Sequence, residues 1–170
     1  IFSATGRKTC AERHGYVSAR LAVSDKYVIA YEENGTEYSV YNTFSKVYSE
    51  TLQYPIKGIC VSDDGYYAII TRTDEYIGAV ALYDSSFKMI NRYLKNAHVV
   101  SVDISDDGRV AVTTLGVDSS GGFLTEITIS AIGETDVIST VQYAGALPLR
   151  SVFTDNGLML VCEDRVVFFD

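Results

Sequence analysis

Ile59-Cys-Val-Ser-Asp-Asp-Gly-Tyr-Tyr-Ala-Ile69 and Val102-Asp-Ile-Ser-Asp-Asp-Gly-Arg-Val-Ala-Val112 are two copies of one pattern, and that pattern decides the fold. In each, an alternating apolar stretch runs into Ser-Asp-Asp-Gly and leaves as a second alternating stretch. Period-2 alternation is the mark of a half-buried strand, and Asp with Gly between two such runs marks a tight turn. Ser or Asp at the turn start accepts a backbone hydrogen bond, and Gly65 and Gly108 permit the positive φ such turns often require. Each copy is therefore an antiparallel hairpin, strands a and b.

Two further copies flank these, Leu21-Ala-Val-Ser-Asp-Lys-Tyr-Val-Ile29 and Ser151-Val-Phe-Thr-Asp-Asn-Gly-Leu-Met-Leu-Val161. Lys26 marks a copy whose turn is one residue shorter, and Gly157 aligns with Gly65 and Gly108. The anchors Ser24, Ser62, Ser105 and Thr154 are spaced by 38, 43 and 49 residues, within the range of blade-like repeats. A third element follows each hairpin: Glu37–Asn42, Ala79–Asp84, Glu126–Ser130 and Arg165–Asp170, read as strand c. Strand d follows over Ser45–Leu52, Lys88–Leu94 and Val137–Tyr143, the last after a turn at 133–136. Four short strands per unit, without a helical period between them, predict an all-β chain: a β-propeller of about four four-stranded blades. An immunoglobulin-like sandwich also has short strands with regular turns, but no repeat of this length is expected of it.

The totals fit one such domain. The 170 residues are 47% hydrophobic and 21% charged, with Tyr 13, Phe 7 and only Pro 2, a folded and strand-favouring composition. A net charge of −8 without a basic cluster disfavours nucleic acid and anionic membranes as partners. No apolar run is long enough for a spanning helix. Cys10, Cys60 and Cys162 are odd in number and far apart, which reads as structural thiols rather than a disulfide framework or a metal knuckle.

Val61–Ile69 and Ile104–Val112 resemble the a–b hairpin of WD40-like and related bacterial propeller repeats, and Leu82-Tyr-Asp84 and Phe168-Phe-Asp170 resemble the end of their strand c. The likeness covers nearly the whole chain. WD40 blades commonly carry Gly-His and Trp-Asp dipeptides, whereas this sequence has Trp 0 and neither His14 nor His98 follows Gly. The nearer likeness is to bacterial propeller domains of unknown function with Tyr in place of Trp. Such propellers serve as scaffolds, sensors and enzyme domains, so the resemblance implies architecture more than activity.

The ends share one phase. Ile1-Phe-Ser3 resembles the close of strand c, which makes residues 7–14 an orphan strand d; repeats follow over about 18–54, 56–95 and 99–144, and 149–170 forms an incomplete last blade. Beginning at Ile1 rather than Met, the chain reads as processed or excised. Three arrangements stay open: a segment of a larger propeller, a closed four-bladed ring completed by the N-terminal strand, or two chains forming an eight-bladed ring.

The resemblance places strand a innermost and the d–a and b–c loops on one binding face. Strand a then carries Arg20, Gly58, Ser101 and Arg150 at one level, with Ala22, Cys60, Asp103 and Val152 two residues on. Arg20, Arg150 and Asp103, with Lys57 close by, read either as a channel site for an anionic ligand or as internal ion pairs. On the loop face, Gly116-Val-Asp-Ser-Ser-Gly-Gly122 nominates Asp118, Ser119 and Ser120, a flexible loop able to close over a partner or ordinary loop variation, with His98 at a neighbouring d–a connection. It lacks the Gly-Lys-Ser/Thr ending of a phosphate loop. Asp63-Asp64 and Asp106-Asp107 lack the alternate ligands and closing Glu of an EF-hand and read as turn formers. There is no His-x-x-x-His pair and no Gly-x-Ser-x-Gly elbow, so no catalytic residue, metal or cofactor is expected. The expectation is a non-enzymatic binding or scaffolding propeller with a protein partner or self-association. Its rivals are a propeller domain of a larger enzyme and the extracytoplasmic sensor of a membrane-anchored bacterial protein.

Overall fold

The computed structural model describes residue 2 and residues 5–134 and 136–170. Ile1 and Ser3, which carry part of the likeness at the N-terminus, and Thr135 in the 133–136 turn lie outside the described residues. The chain is all β, in four antiparallel sheets joined in sequence order. The first blade contains β1 (Ala19–Val23), β2 (Tyr27–Glu32), β3 (Glu37–Asn42) and β4 (Lys46–Thr51). The second contains β5 (Gly58–Val61), β6 (Tyr67–Thr71), β7 (Gly78–Tyr83) and β8 (Met89–Lys95). The third contains β9 (His98–Ile104), β10 (Arg109–Val117), β11 (Phe123–Ala131) and β12 (Val137–Ala144). The fourth has three strands, β13 (Pro148–Thr154), β14 (Gly157–Cys162) and β15 (Val166–Phe169). The inner strands β1, β5, β9 and β13 neighbour one another in that order. Among the described residues no helix is long and apolar enough to cross a membrane.

Alternation along each strand sends one set of side chains to the preceding blade and the other to the next. Three cores result, one per junction. The first joins Ala22, Ile29, Tyr31, Tyr38 and Val40 to Tyr67, Ile69 and Tyr83. Its rings are arranged, with Tyr67 stacked on Tyr83 at 4.7 Å and Tyr48 on Phe87 at 4.6 Å. The second is aliphatic, with Ala68, Ile70, Val80 and Leu82 against Val102, Val110 and Val112. The third packs Ala111 and Ile127 against Leu158, Leu160 and Cys162.

Two expectations change. The turn of the last hairpin is short: Thr154 pairs with Gly157, so Gly157 occupies a strand position rather than that of Gly65 or Gly108. A Cβ there would collide with the Phe169 carbonyl, and φ is 137°, so glycine is required by the close approach of β15. The second change concerns residues 7–14, which form no strand beyond an isolated bridge between Lys8 and Phe2. Glu12 instead reaches the first blade, accepting from Tyr41 Oη at 2.9 Å and from Lys46 Nζ at 3.0 Å. The lysine and the phenol together hold the Glu12 carboxyl below its usual range. No hydrogen bond joins the fourth blade to the first among the described residues, so the four-bladed ring is not closed by strand pairing.

Candidate binding face

The connection from β4 to β5 folds under its own chain before entering the second blade. Ile56 is fully buried, its N–H donates to Gly35 O, and its carbonyl accepts from Asn34 N–H. This fixes Lys57, whose Nζ donates to Asn34 Oδ1 at 2.6 Å. Across from it, the β6–β7 loop is closed by Thr73, whose Oγ1 accepts from the N–H groups of Glu75 and Tyr76. Tyr54 donates to Asp74 Oδ2 at 2.9 Å, tying the two loops together, and the carboxylate raises the phenol's pKa. Gly78 closes the region, because a Cβ there would lie 2.7 Å from Ala97 O and Val99 Cγ2.

Together these loops frame a cavity of about 640 Å³, whose lining includes Lys57, Arg72, Glu75, Tyr76, Ile77 and His98. Cations, carboxylates, a phenol and an exposed aliphatic converge there. Beside it β10 and β11, nine residues each, continue two register pairs past the Leu115–His98 pair, Gly116–Leu124 and Val117–Phe123. The tip of this hairpin presents Val117 at 67% and Phe123 at 52% exposure.

The residues nominated for a channel site do not form one constellation. Arg20, Gly58, Ser101 and Arg150 do share a register, paired with Tyr31, Ile70, Thr113 and Val161 of the second strand in each blade. Arg20, however, is engaged by Glu33 Oε2 at 2.8 and 3.0 Å on the exposed rim. Lys57 belongs to the loop-face cavity. Arg150 and Asp103 alone enter the inner groove, a space of about 490 Å³ that Cys60 and Ser101 also line. Asp103 Oδ2 accepts Phe153 N–H at 2.7 Å, a tie between the third and fourth blades. Burial raises the Asp103 pKa against the opposing pull of that N–H and of Arg150. The Cys60 thiol is also pushed up, by burial first and then by Asp103.

On the loop face, His98 lines the cavity whereas Asp118, Ser119 and Ser120 do not. Their loop is braced by its own hydrogen bonds: Asp118 Oδ1 accepts from the N–H groups of Ser120 and Gly122 and from Ser120 Oγ. The Ser120 hydroxyl, followed by these N–H groups, lowers the Asp118 pKa, so its carboxylate is committed to the turn. Asp63 is likewise committed, its Oδ1 accepting Asp25 N–H from the preceding blade at 2.7 Å. Asp107 is held by Arg109 and Ser105, which lower its pKa in that order. Sequence reading passed over the 72–77 loop. Its signal was density, with Arg72, Asp74, Glu75 and Tyr76 within six residues, where the glycine-rich 116–122 stretch drew attention by flexibility.

A family model matches residues 1–170, the whole chain. The chain belongs to DUF5711, a family of unknown function. No curated protein matches this DUF5711 chain in sequence. Among solved structures it is similar to the computationally designed Ika4 protein, at 13% identity and TM-score 0.66 over 97% of this chain and 99% of that one. It is also similar to KlHsv2 with loop 6CD replaced by a Gly-Ser linker, at 15% identity and TM-score 0.59, covering 89% of this chain and 48% of that one. YCF48 bound to D1 peptide matches at 12% identity and TM-score 0.59, covering 86% and 48%. The DUF5711 chain thus spans about half the length of the last two, and at these identities the likeness concerns the β-propeller fold alone.

Proposed function

We propose that this DUF5711 chain is a non-enzymatic binding propeller whose loop face takes an extended peptide segment of a protein partner. The observation that carries the reading is the loop-face cavity beside the projecting β10–β11 hairpin. Lys57, Arg72 and His98 supply donors, Glu75 supplies an acceptor, and Ile77, Val117 and Phe123 supply apolar surface, the mixture a peptide's backbone and side chains use. The solved structure of YCF48 with D1 peptide gives a precedent for a peptide on a chain of similar fold. The finer kinship, a WD40-like repeat of bacterial type, rests on the Ser-Asp-Asp-Gly hairpins and belongs to the same proposal. A random-peptide selection followed by hydrogen-exchange mapping tests it. Selected peptides should slow exchange at 54–57, 72–77 and 98–99, and Ile77→Asp should weaken them at least tenfold. Protection confined to the turns at 62–65 and 105–108 would overturn the assignment of the face.

A further inference from the structure

The outer strands of the first three blades differ in charge. β4 carries Lys46 and Glu50, and β8 carries Arg92 and Lys95. β12 reads Val137-Ile-Ser-Thr-Val-Gln-Tyr-Ala144, and no charged residue occurs between Asp136 and Arg150. A free sheet edge offers unpaired N–H and C=O groups, and proteins blunt such edges with charge, proline or brevity. β12 has none of these over its eight residues, and Val, Ile, Thr and Tyr, which favour strands, make up most of it. A bulge opens it, as one opens β4 and β8, and leaves Ser139–Ala144 in regular register with Leu124–Ile129.

The ladder between β11 and β12 shows which backbone groups are free. Leu124 pairs with Ala144, and one step on, Gly145 N–H donates to Phe123 O at 3.0 Å, a hydrogen-bonded pair. Antiparallel ladders alternate such pairs with non-bonded ones. Tyr143, Val141 and Ser139 therefore turn their N–H and C=O groups to β11, while Thr140, Gln142 and Ala144 turn theirs outward. Among the described residues no strand pairs with that edge. Thr140, Gln142 and Ala144 are exposed, whereas Val141 and Tyr143 pack on the third core.

The strand is its own complement. A net charge of −8 sets two copies against each other over most of their surface, but β12 laid antiparallel on β12 of another copy brings no charge opposite a like charge. Glu134 and Asp136, which precede it, then lie beside the uncharged 145–149 stretch of the other copy. The same operation centred on β8 would put Arg92 opposite Arg92.

We infer that two copies of this chain associate through β12: the strands run antiparallel about a two-fold axis at Val141, Thr140 of each copy faces Gln142 of the other, and the two third blades join into one continuous sheet. The inference uses the third blade alone and does not depend on the loop-face reading. A two-fold contact consumes the β12 edge of both copies, so association stops at two.

Light scattering during gel filtration over a range of loading concentrations, with residue-level hydrogen exchange, tests this. The mass should rise from one chain to two and no further, and the amides of Thr140, Gln142 and Ala144 should become protected over the same concentrations. Thr140→Pro removes an outward N–H without touching the ladder to β11, and Gln142→Lys adds a charge to the edge beside Glu126, which now accepts from Gln142 Nε2 at 3.2 Å. Each should weaken association roughly tenfold or more, with circular dichroism unchanged, because each removes or opposes at least one backbone bond across the axis. Thr140→Val keeps those backbone groups and should still pair. A chain that stays monomeric at every soluble concentration would overturn the inference, as would a mass that grows past two chains. So would a dimer that leaves the three amides unprotected or survives both Thr140→Pro and Gln142→Lys.

Discussion

The first and last junctions of the chain join equivalent faces of the blades with different chemistry. Between the first two blades the contact is aromatic: Tyr38 donates to Glu50 Oε2 at 2.8 Å, and Tyr67 Oη lies 3.2 Å from Tyr38 Oη in the interior. Between the last two an aliphatic core is joined by a cluster of small hydroxyls: Thr113 donates to Ser151 Oγ at 2.7 Å, and Ser151 N–H donates to Ser101 Oγ at 2.9 Å, all three side chains being buried. Alternation within the repeat fixes which way a residue faces, and leaves open whether bulk or hydrogen bonding fills the space. The tyrosine junction gains from area and ring packing, whereas the hydroxyl junction depends on every partner being present.

Truncation should separate the two most sharply. Tyr67→Ala removes a fully buried ring that stacks on Tyr83 and should cost about 3–5 kcal/mol by urea denaturation, as large aromatic deletions in cores do. Ser151→Ala removes almost no volume but leaves the Thr113 hydroxyl without its acceptor, and a loss of about 1–3 kcal/mol is expected. If Ser151→Ala proved neutral, the hydroxyl junction would be packing alone. Asp103 offers a finer probe of the same junction. Asp103→Ala strands the Phe153 N–H and should cost about 1–2 kcal/mol, whereas Asp103→Asn keeps an acceptor without a buried charge and should cost little.

Base distinguishes the junctions by sign. Burial raises the pKa of Tyr38, with Tyr67 and Glu50 adding to it, and burial likewise raises that of Tyr67. A phenol whose folded pKa exceeds the unfolded value of about 10 contributes stability that is complete below that value and lost as pH rises towards the folded one. The chain should therefore unfold above about pH 10 with tyrosinate absorbance appearing in the same transition, and Tyr38→Phe should separate the two signals. Arg20→Ala, at an exposed ion pair with Glu33, is the smallest change, within about 1 kcal/mol by thermal denaturation.

The hairpins were legible because Ser-Asp-Asp-Gly between alternating runs has few other solutions, and the registers of Arg20, Gly58, Ser101 and Arg150 followed from the anchors. Less was legible where a local pattern meets a distant partner. Gly157 looked like a turn residue, and only the nearness of the Phe169 carbonyl shows why a strand position needs glycine. The phase of the N-terminus read residues 7–14 as a strand, but among the described residues they form only an isolated bridge, and Glu12 fastens them to the first blade. The nominated arginines share a level, yet Glu33 decides where Arg20 points, and Glu33 belongs to a different repeat element. The cavity at Lys57 and His98 arises from three loops far apart in sequence, which no single stretch could announce.

The tyrosine cluster has an optical consequence. With 13 Tyr and no Trp, ultraviolet emission from this chain is dominated by phenols. Tyr38 and Tyr48 both donate to the Glu50 carboxylate, a contact that quenches phenol emission, and Tyr67 and Tyr83 lie close enough to exchange excitation with them. Parting of the first two blades would therefore brighten the chain, a change that can be followed in unlabelled protein.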